Sequence, residues 1–125
     1  LYRNLFDSAS EAILMMDGPR FIECNPKSAE IFDLPRDEIL GRTPWELSPP
    51  VKRENLNSKR LALAKIDAAL KGEAQRFEWH HRRPDDTIIE AEVSLNRLEL
   101  SGKFYLQAIV RDVTEWKRAD RAGNA

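Results

Sequence analysis

This sequence contains little cysteine and glycine and has no excess of one charge, and each of these features argues against a class of protein. Cys24 is the one cysteine in 125 residues, so no internal disulfide can form and we expect a reducing, cytoplasmic setting. The 20 Lys and Arg residues balance 21 Asp and Glu, which leaves no basic field for nucleic acid or for an anionic membrane surface. The longest apolar run covers residues 12–16, far short of the roughly 20 residues that a membrane-spanning helix needs. We therefore expect neither nucleic-acid binding nor membrane insertion by this chain.

Signatures of catalysis are also missing. The five glycines do not form a phosphate-binding loop, and neither a Gly-x-Ser-x-Gly nor a His-Glu-x-x-His motif is present. His80 and His81, the two histidines, are adjacent on a predicted strand and point to opposite faces, so they cannot share one metal ion. We expect no catalytic residue and no metal site, and a small α+β enzyme is kept only as a remote alternative.

The front of the chain is predicted to form a β-hairpin that leads into a helix. Residues 12–16 and 21–24 are the strands, and Asp17-Gly18-Pro19 supplies the turn between them. Asn25 followed by Pro26 is typical of a helix start, because Asn is a good N-cap and Pro fits the first helical position.

Several helices are predicted to follow in succession. Residues 35–40 can form one short turn, and Thr43 to Glu46 have the spacing of a capping box. After the break at Pro49-Pro50, a longer helix is predicted from about residue 57 to residue 71. We expect this helix to cross one side of a sheet.

The last part of the chain is predicted to form three strands. In each strand alternate positions are apolar or aromatic, as in a sheet with one buried face. These positions are Phe77, Trp79 and His81, then Ile89, Ala91, Val93 and Leu95, then Leu106, Ala108 and Val110. The parity slips after Asn96, because Leu98 and Leu100 fall in the opposite phase, and we predict a bulge or bend there. Two strands, several helices and three strands predict an antiparallel sheet with helices packed on one face, an α+β fold.

The chain ends in a segment that resembles a known sensory module. Asp112-Val113-Thr114-Glu115-Trp116-Lys117, read together with residues 10–25 and 77–86, resembles a PAS domain of bacterial histidine kinases and diguanylate cyclases. The resemblance implies a five-stranded sheet of order 2-1-5-4-3. It also implies an N-terminal amphipathic helix over residues 1–10, a PAS core over 11–112 and a linker helix from 113 to 125. The absence of Met at the start and the helical pattern at the end suggest a piece of a longer protein.

The resemblance also bears on cofactors. Flavin-binding photoreceptor PAS domains carry a Gly-Arg-Asn-Cys motif, whereas this chain has Gly41-Arg42-Thr43-Pro44, with Pro44 at the position of the reactive Cys. Haem-binding PAS sensors take an axial His from the long helix, and residues 57–71 contain none. We therefore expect neither a flavin adduct nor haem, and the cofactor is otherwise unknown.

A ligand pocket is expected between sheet and helices, because Ala91 and Ala108 leave space among bulky neighbours. His81 is either the polar contact of that pocket or a strand-end residue with an ordinary hydrogen bond. The expected lining is Ile13 or Leu14, with Ile31, Trp45, Ile66, Phe77, Trp79, His81, Ala91, Val93, Ala108 and Val110.

We expect a signal-transduction domain of a two-component type, which relays ligand or partner binding to an output module in the same chain, a histidine kinase or diguanylate cyclase. Asp112, Thr114 and Glu115 are predicted to form the signal exit, with Asp112 as N-cap and Glu115 completing a capping box. A homodimer is predicted through an amphipathic first helix that carries Leu1, Tyr2, Leu5 and Phe6. The alternative is a structural PAS repeat that mediates dimerisation without a ligand.

Overall fold

The computed structural model describes the backbone of residues 2–47 and 52–123 and the side chains of residues 5–47 and 58–123. In chain order the elements are α1 Tyr2–Ser8, β1 Ala12–Asp17, β2 Arg20–Cys24, α2 Pro26–Phe32, α3 Arg36–Ile39, a 3-10 helix Pro44–Leu47, α4 Lys52–Leu70, β3 Gln75–Arg82, β4 Ile88–Leu100, β5 Lys103–Asp112 and α5 Thr114–Gly123. None of the described helices combines the length and the apolar character needed to cross a membrane.

The five strands form one antiparallel sheet in the order β2-β1-β5-β4-β3, which confirms the predicted topology. Helix α4 packs across β3, β4 and β5, and α2 packs on β1, so one face of the sheet is covered. The alternating positions of the strands point into this layer, as their parity predicted. The buried strand residues are Ala12, Leu14, Met16, Phe21, Cys24, Trp79, His81, Ile89, Ala91, Val93, Leu95, Leu106, Ala108 and Val110.

Asn25 joins the hairpin to α1 and α2, because its buried amide bonds to all three. Its Oδ1 accepts hydrogen bonds from the Ile13 amide at 2.9 Å and from the Ser28 amide at 3.2 Å. Its Nδ2 donates to the carbonyls of Phe6 at 3.1 Å and Glu11 at 2.9 Å. The predicted N-cap is confirmed, and it also fixes the end of α1 against β1.

Two of the predicted helices differ in detail. Helix α4 begins at Lys52 rather than near residue 57, because the intervening residues are mostly good helix formers. The predicted Pro49-Pro50 break lies outside the described residues. The Thr43 amide donates to Glu46 Oε1 at 3.2 Å, but the Thr43 hydroxyl also donates to that carboxylate, at 2.9 Å. The Glu46 amide therefore bonds to the Thr43 carbonyl at 3.1 Å, and the turn is a 3-10 helix with half of the capping box.

The bulge predicted after Asn96 is wrong. Strands β4 and β5 pair in one unbroken register from Ala91 opposite Asp112 to Leu100 opposite Lys103. The parity slip has a different cause, since the outer face of the sheet is itself apolar at this end. Leu98 and Leu100 line an outer groove of about 300 Å³, with Phe6, Ile13, Leu14, Met15 and Gln107. The register shift that does occur lies between Met15 and Met16, where β1 pairs with β2.

Candidate functional site

A small cavity, partly open to solvent, lies between the helix-covered face of the sheet and α4. Its volume is about 30 Å³, and among the described lining side chains only His81 can carry a charge. The lining residues are Met16, Phe21, Pro44, Ala62, Ile66, Phe77, Trp79, His81, Val93, Leu95, Ala108 and Val110.

Seven of the predicted pocket residues line this cavity: Ile66, Phe77, Trp79, His81, Val93, Ala108 and Val110. Ile31, Trp45 and Ala91 lie elsewhere. Ile31 borders a solvent-open cleft near Arg83. Trp45 is half-buried beneath the Lys59 ammonium, and Ala91 lies near the start of β4, where it pairs with Asp112.

Neither candidate from β1 lines the cavity. Ile13 points to the outer groove, and Leu14 is fully buried on the covered face but is not among the lining residues. The lining residues that sequence reasoning missed include Met16 and Leu95, which share the buried parity of their strands. Ala62 was also missed, although it lies one helical turn before Ile66 on the same face of α4. These patterns were therefore available in the sequence.

His81 is the most perturbed titratable group among the described residues. Its side chain is 3% exposed, and neither ring nitrogen has a hydrogen-bond partner. The pKa of His81 is lowered from 6.5 to about 3, chiefly by burial and to a lesser extent by the neighbouring His80. The Leu47 carbonyl and the Asp112 charge oppose this shift in pKa, but the carbonyl does not reach hydrogen-bond geometry. The imidazole is therefore neutral near pH 7, with one donor and one acceptor unused.

Trp79 presents a similar unsatisfied group. It precedes His81 by two residues on β3, so both side chains point into the cavity face. The indole Nε1 is buried without a partner, while the ring packs edge-on against Phe77 at a centroid distance of 6.0 Å. Buried polar atoms without partners are uncommon in folded proteins, and three of them border one cavity here. Such atoms mark the place where a polar guest would gain hydrogen bonds.

The predicted signal exit has a capping bond, but its geometry differs from the prediction. The Val113 carbonyl accepts the first helical bond, from the Lys117 amide at 2.8 Å, so Val113 occupies the N-cap position of α5. Asp112 caps from one residue further back, since its Oδ1 accepts from the Thr114 amide at 2.9 Å and the Thr114 hydroxyl at 2.6 Å. Glu115 then falls at the second helical position rather than the third, and the predicted capping box does not form.

Thr114 also ties the start of α5 to β4. Its hydroxyl oxygen accepts a hydrogen bond from the Glu90 amide at 2.8 Å, and the Val113 amide donates to the Glu90 carbonyl at 2.9 Å. The exit helix therefore starts from the sheet itself.

Arg83 connects the end of α2 with the exit segment. Its Nε donates to the Ile31 carbonyl at 2.8 Å, and its Nη2 lies 3.8 Å from Asp112 Oδ2. Two residues earlier on β3, the His81 ring contacts Phe32 edge-on, with centroids 4.7 Å apart. The cavity, the end of α2 and the cap of α5 are therefore joined by direct contacts.

Charge pairs hold α5 against the outer face of the sheet. Arg121 donates from both terminal nitrogens to the two oxygens of Glu90, at 2.9 and 3.0 Å, and this contact lowers the pKa of Glu90. Lys117 donates to Glu78, and this hydrogen bond raises the pKa of Lys117. No side chain of α5 is buried, and Trp116 is 64% exposed. The helix is therefore held by its cap and its ion pairs rather than by an apolar interface.

The predicted dimer residues are only partly described. Leu1 and the side chain of Tyr2 lie outside the described residues. Leu5 is exposed, whereas Phe6 is buried within its own domain at 6% exposure. Neighbouring residues of a helix point about 100° apart, so Phe6 packs on the domain while Leu5 faces outward. Among the described residues, no cluster of three or more His, Cys, Asp or Glu side chains could hold a metal ion.

A five-stranded antiparallel sheet with one helix-covered face, a small cavity and a C-terminal helix defines a class of sensory domains. The family model described as "PAS domain" matches residues 10–115, and the chain belongs to the PAS domain family. This membership makes the fragment a non-enzymatic sensory module of the kind found in histidine kinases. No curated protein sequence matches the chain.

Solved PAS domains share this fold over nearly the whole chain. One, from an HTR-like protein of Haloarcula marismortui, is 25% identical with a TM-score of 0.73, and the match covers 89% of this chain and 93% of that one. Another, from a sensory box sensor histidine kinase/response regulator of Geobacter sulfurreducens, is 27% identical with a TM-score of 0.73, covering 89% and 90%. The PAS domain of nitrogen regulation protein NR(II) from Vibrio parahaemolyticus has a TM-score of 0.69 at 16% identity, covering 90% and 97%.

Proposed function

We propose that this PAS domain senses a small ligand in the His81 cavity and relays its presence through α5 to an output domain in the same chain. The observation that carries the proposal is the position of Arg83. One side chain contacts both the carbonyl end of α2 and the carboxylate that caps α5.

The first step of the relay is the contact between His81 and Phe32. A guest that bonds to the imidazole restrains or rotates the ring, and Phe32 lies edge-on against it at 4.7 Å. Phe32 is the last residue of α2 and is followed by Asp33 in the left-handed region, at φ 54°. The end of α2 is therefore the element that responds to a change at the ring.

The second step passes through Arg83 to the cap of α5. A shift of the Ile31 carbonyl moves the guanidinium that faces Asp112, and Asp112 holds the first turn of α5 through Thr114. Loss of a helix cap costs roughly 0.5–2 kcal/mol. Such a change leaves a domain of about 5–15 kcal/mol folded, yet it alters a two-state ratio about 2- to 30-fold. Signalling is therefore expected to respond before folding does.

The output is proposed to be a histidine kinase, with a diguanylate cyclase as the other candidate. Support comes from the sensor histidine kinase domain of Geobacter sulfurreducens, which is similar over 89% of this chain. A homodimer and a cytoplasmic setting belong to the same proposal, supported by the exposed Leu5 and by the single, free Cys24. The proposal includes neither flavin nor haem, and the small volume of the cavity, about 30 Å³, supports this choice.

A structural repeat that mediates dimerisation without a ligand is the second candidate. The small volume of the cavity favours it, and so does the apolar outer groove lined by Leu98 and Leu100. In that case changes in the cavity would leave output unaffected.

The test is Arg83→Gln in the protein with its output domain attached, with melting temperature and output activity measured together. Arg82→Gln is the matched control, because Arg82 pairs with Asp86 on the hairpin and not with Asp112. We expect Arg83→Gln to change output while the melting temperature stays close to that of the control. Normal output in Arg83→Gln would refute the relay.

A further inference from the structure

The chemistry of the cavity restricts what can occupy it. Among the residues whose side chains are described, the lining includes no Lys, Arg, Asp or Glu, so a charged guest would lose its hydration without gaining a counter-ion from them. The only polar side-chain atoms buried there without partners are Trp79 Nε1 and the two ring nitrogens of His81, among the residues whose side chains are described.

These atoms define a pattern of donors and acceptors. The indole nitrogen is a donor only, whereas a neutral imidazole offers one donor and one acceptor. A guest that satisfies them must accept a hydrogen bond and also donate one. A purely apolar guest would leave all three atoms unpaired in a site where each unpaired group is unfavourable.

The volume sets the size of the guest. A single water needs about 10–15 Å³ on the same scale, so 30 Å³ corresponds to about two or three non-hydrogen atoms. A larger guest would have to displace Trp79, Ile66 or another wall residue.

We propose that the cavity selects an uncharged molecule of about two or three non-hydrogen atoms that both donates and accepts hydrogen bonds, the chemistry of a short amide or alcohol. This inference rests on the proposed ligand-sensing function and specifies the class of ligand. Trp79 and His81 bind the guest, and the apolar walls reject its charged analogues.

The experiment titrates the ¹⁵N-labelled domain with two matched pairs of probes, formamide against formate and methanol against methylammonium. Within each pair size is nearly constant and charge differs. Binding is followed at the indole N–H of Trp79, assigned with Trp79→Phe, and at the ring nitrogens of His81. The amide signals of residues 114–123 are recorded in the same spectra. The binding controls are Ala108→Leu, which fills the cavity, and His80→Phe, which alters the exposed neighbour.

The inference predicts saturable shifts at Trp79 and His81 with formamide and methanol, and at least tenfold weaker responses to formate and methylammonium. Ala108→Leu should abolish these shifts and His80→Phe should retain them. The inference is overturned if the uncharged probes cause no shifts, as expected if water alone fills the cavity. It is also overturned if the charged probes cause equal shifts. If the uncharged probes bind but residues 114–123 do not respond, the ligand class stands and the proposed relay fails.

Discussion

His81 makes the stability of the domain depend on pH in a range where few other side chains titrate. Its pKa falls from 6.5 to about 3 in the folded protein, chiefly because of burial. The unfolded chain therefore binds the proton first as the pH falls, and acid favours unfolding. The stabilisation is complete above pH 6.5 and is lost progressively as the pH falls from 6.5 towards 3.

The magnitude follows from the two pKa values. At pH 5 the unfolded imidazole is mostly charged while the folded imidazole is neutral, a difference of about 1.5 pH units from 6.5. At about 1.4 kcal/mol per unit, the free energy of unfolding should fall by about 2 kcal/mol between pH 7.5 and pH 5 through this residue alone.

The assay is urea unfolding of the wild type and His81→Gln at pH 7.5 and pH 5, followed by tryptophan fluorescence. Whatever its stability at pH 7.5, the variant should lack the acid loss of about 2 kcal/mol. His80→Gln, at an exposed neighbouring position, should keep it. An equal loss in wild type and His81→Gln would refute the reasoning, as would an NMR titration of folded His81 near pH 6.5.

Three further changes test other parts of the structure. Asn25→Ala should lower the free energy of unfolding by about 3 kcal/mol, because it leaves buried partners unpaired, whereas Ala at the exposed Asn96 should change it by less than about 0.5 kcal/mol in the same urea assay. Glu90→Gln should speed hydrogen exchange of the α5 amides, because it frees Arg121. Glu92→Gln frees Arg76 instead and should not change these rates, and equal exchange rates in the two variants would contradict the ion-pair account. Leu5→Glu should weaken a dimer in light scattering without loss of fold, whereas Glu at the buried Phe6 should destabilise the domain itself; a wild type that is monomeric at high micromolar concentration would oppose the dimer.

Most of the sheet was predictable because its last three strands each carry a period-two pattern with one apolar face. The buried positions of β3, β4 and β5 follow that pattern, and Asn25-Pro26 marked the start of α2. The same reasoning failed at Leu98, where an apolar residue in the opposite phase indicated a second apolar face rather than a bulge. Parity identifies which residues share a face, but it does not say how many faces are apolar.

The candidate site was only partly predictable for a related reason. Trp79 and His81 were identified because they share the parity of the buried strand face. The role of Arg83 was not, because its bond to the Ile31 carbonyl spans 52 residues and has no local signature. The pairing of Arg121 with Glu90 likewise depends on how α5 folds back on the sheet.

The central claim is that a change in the cavity alters the stability of α5 through the contacts of Arg83. It is tested most directly by hydrogen exchange of the α5 amides in four proteins: wild type, Ala108→Leu, Arg83→Gln and the double variant. Because coupled residues give non-additive effects, the claim predicts that filling the cavity changes α5 exchange when Arg83 is present and has little effect in the Arg83→Gln background. An equal change in both backgrounds would show that Arg83 does not carry the signal and would contradict the account.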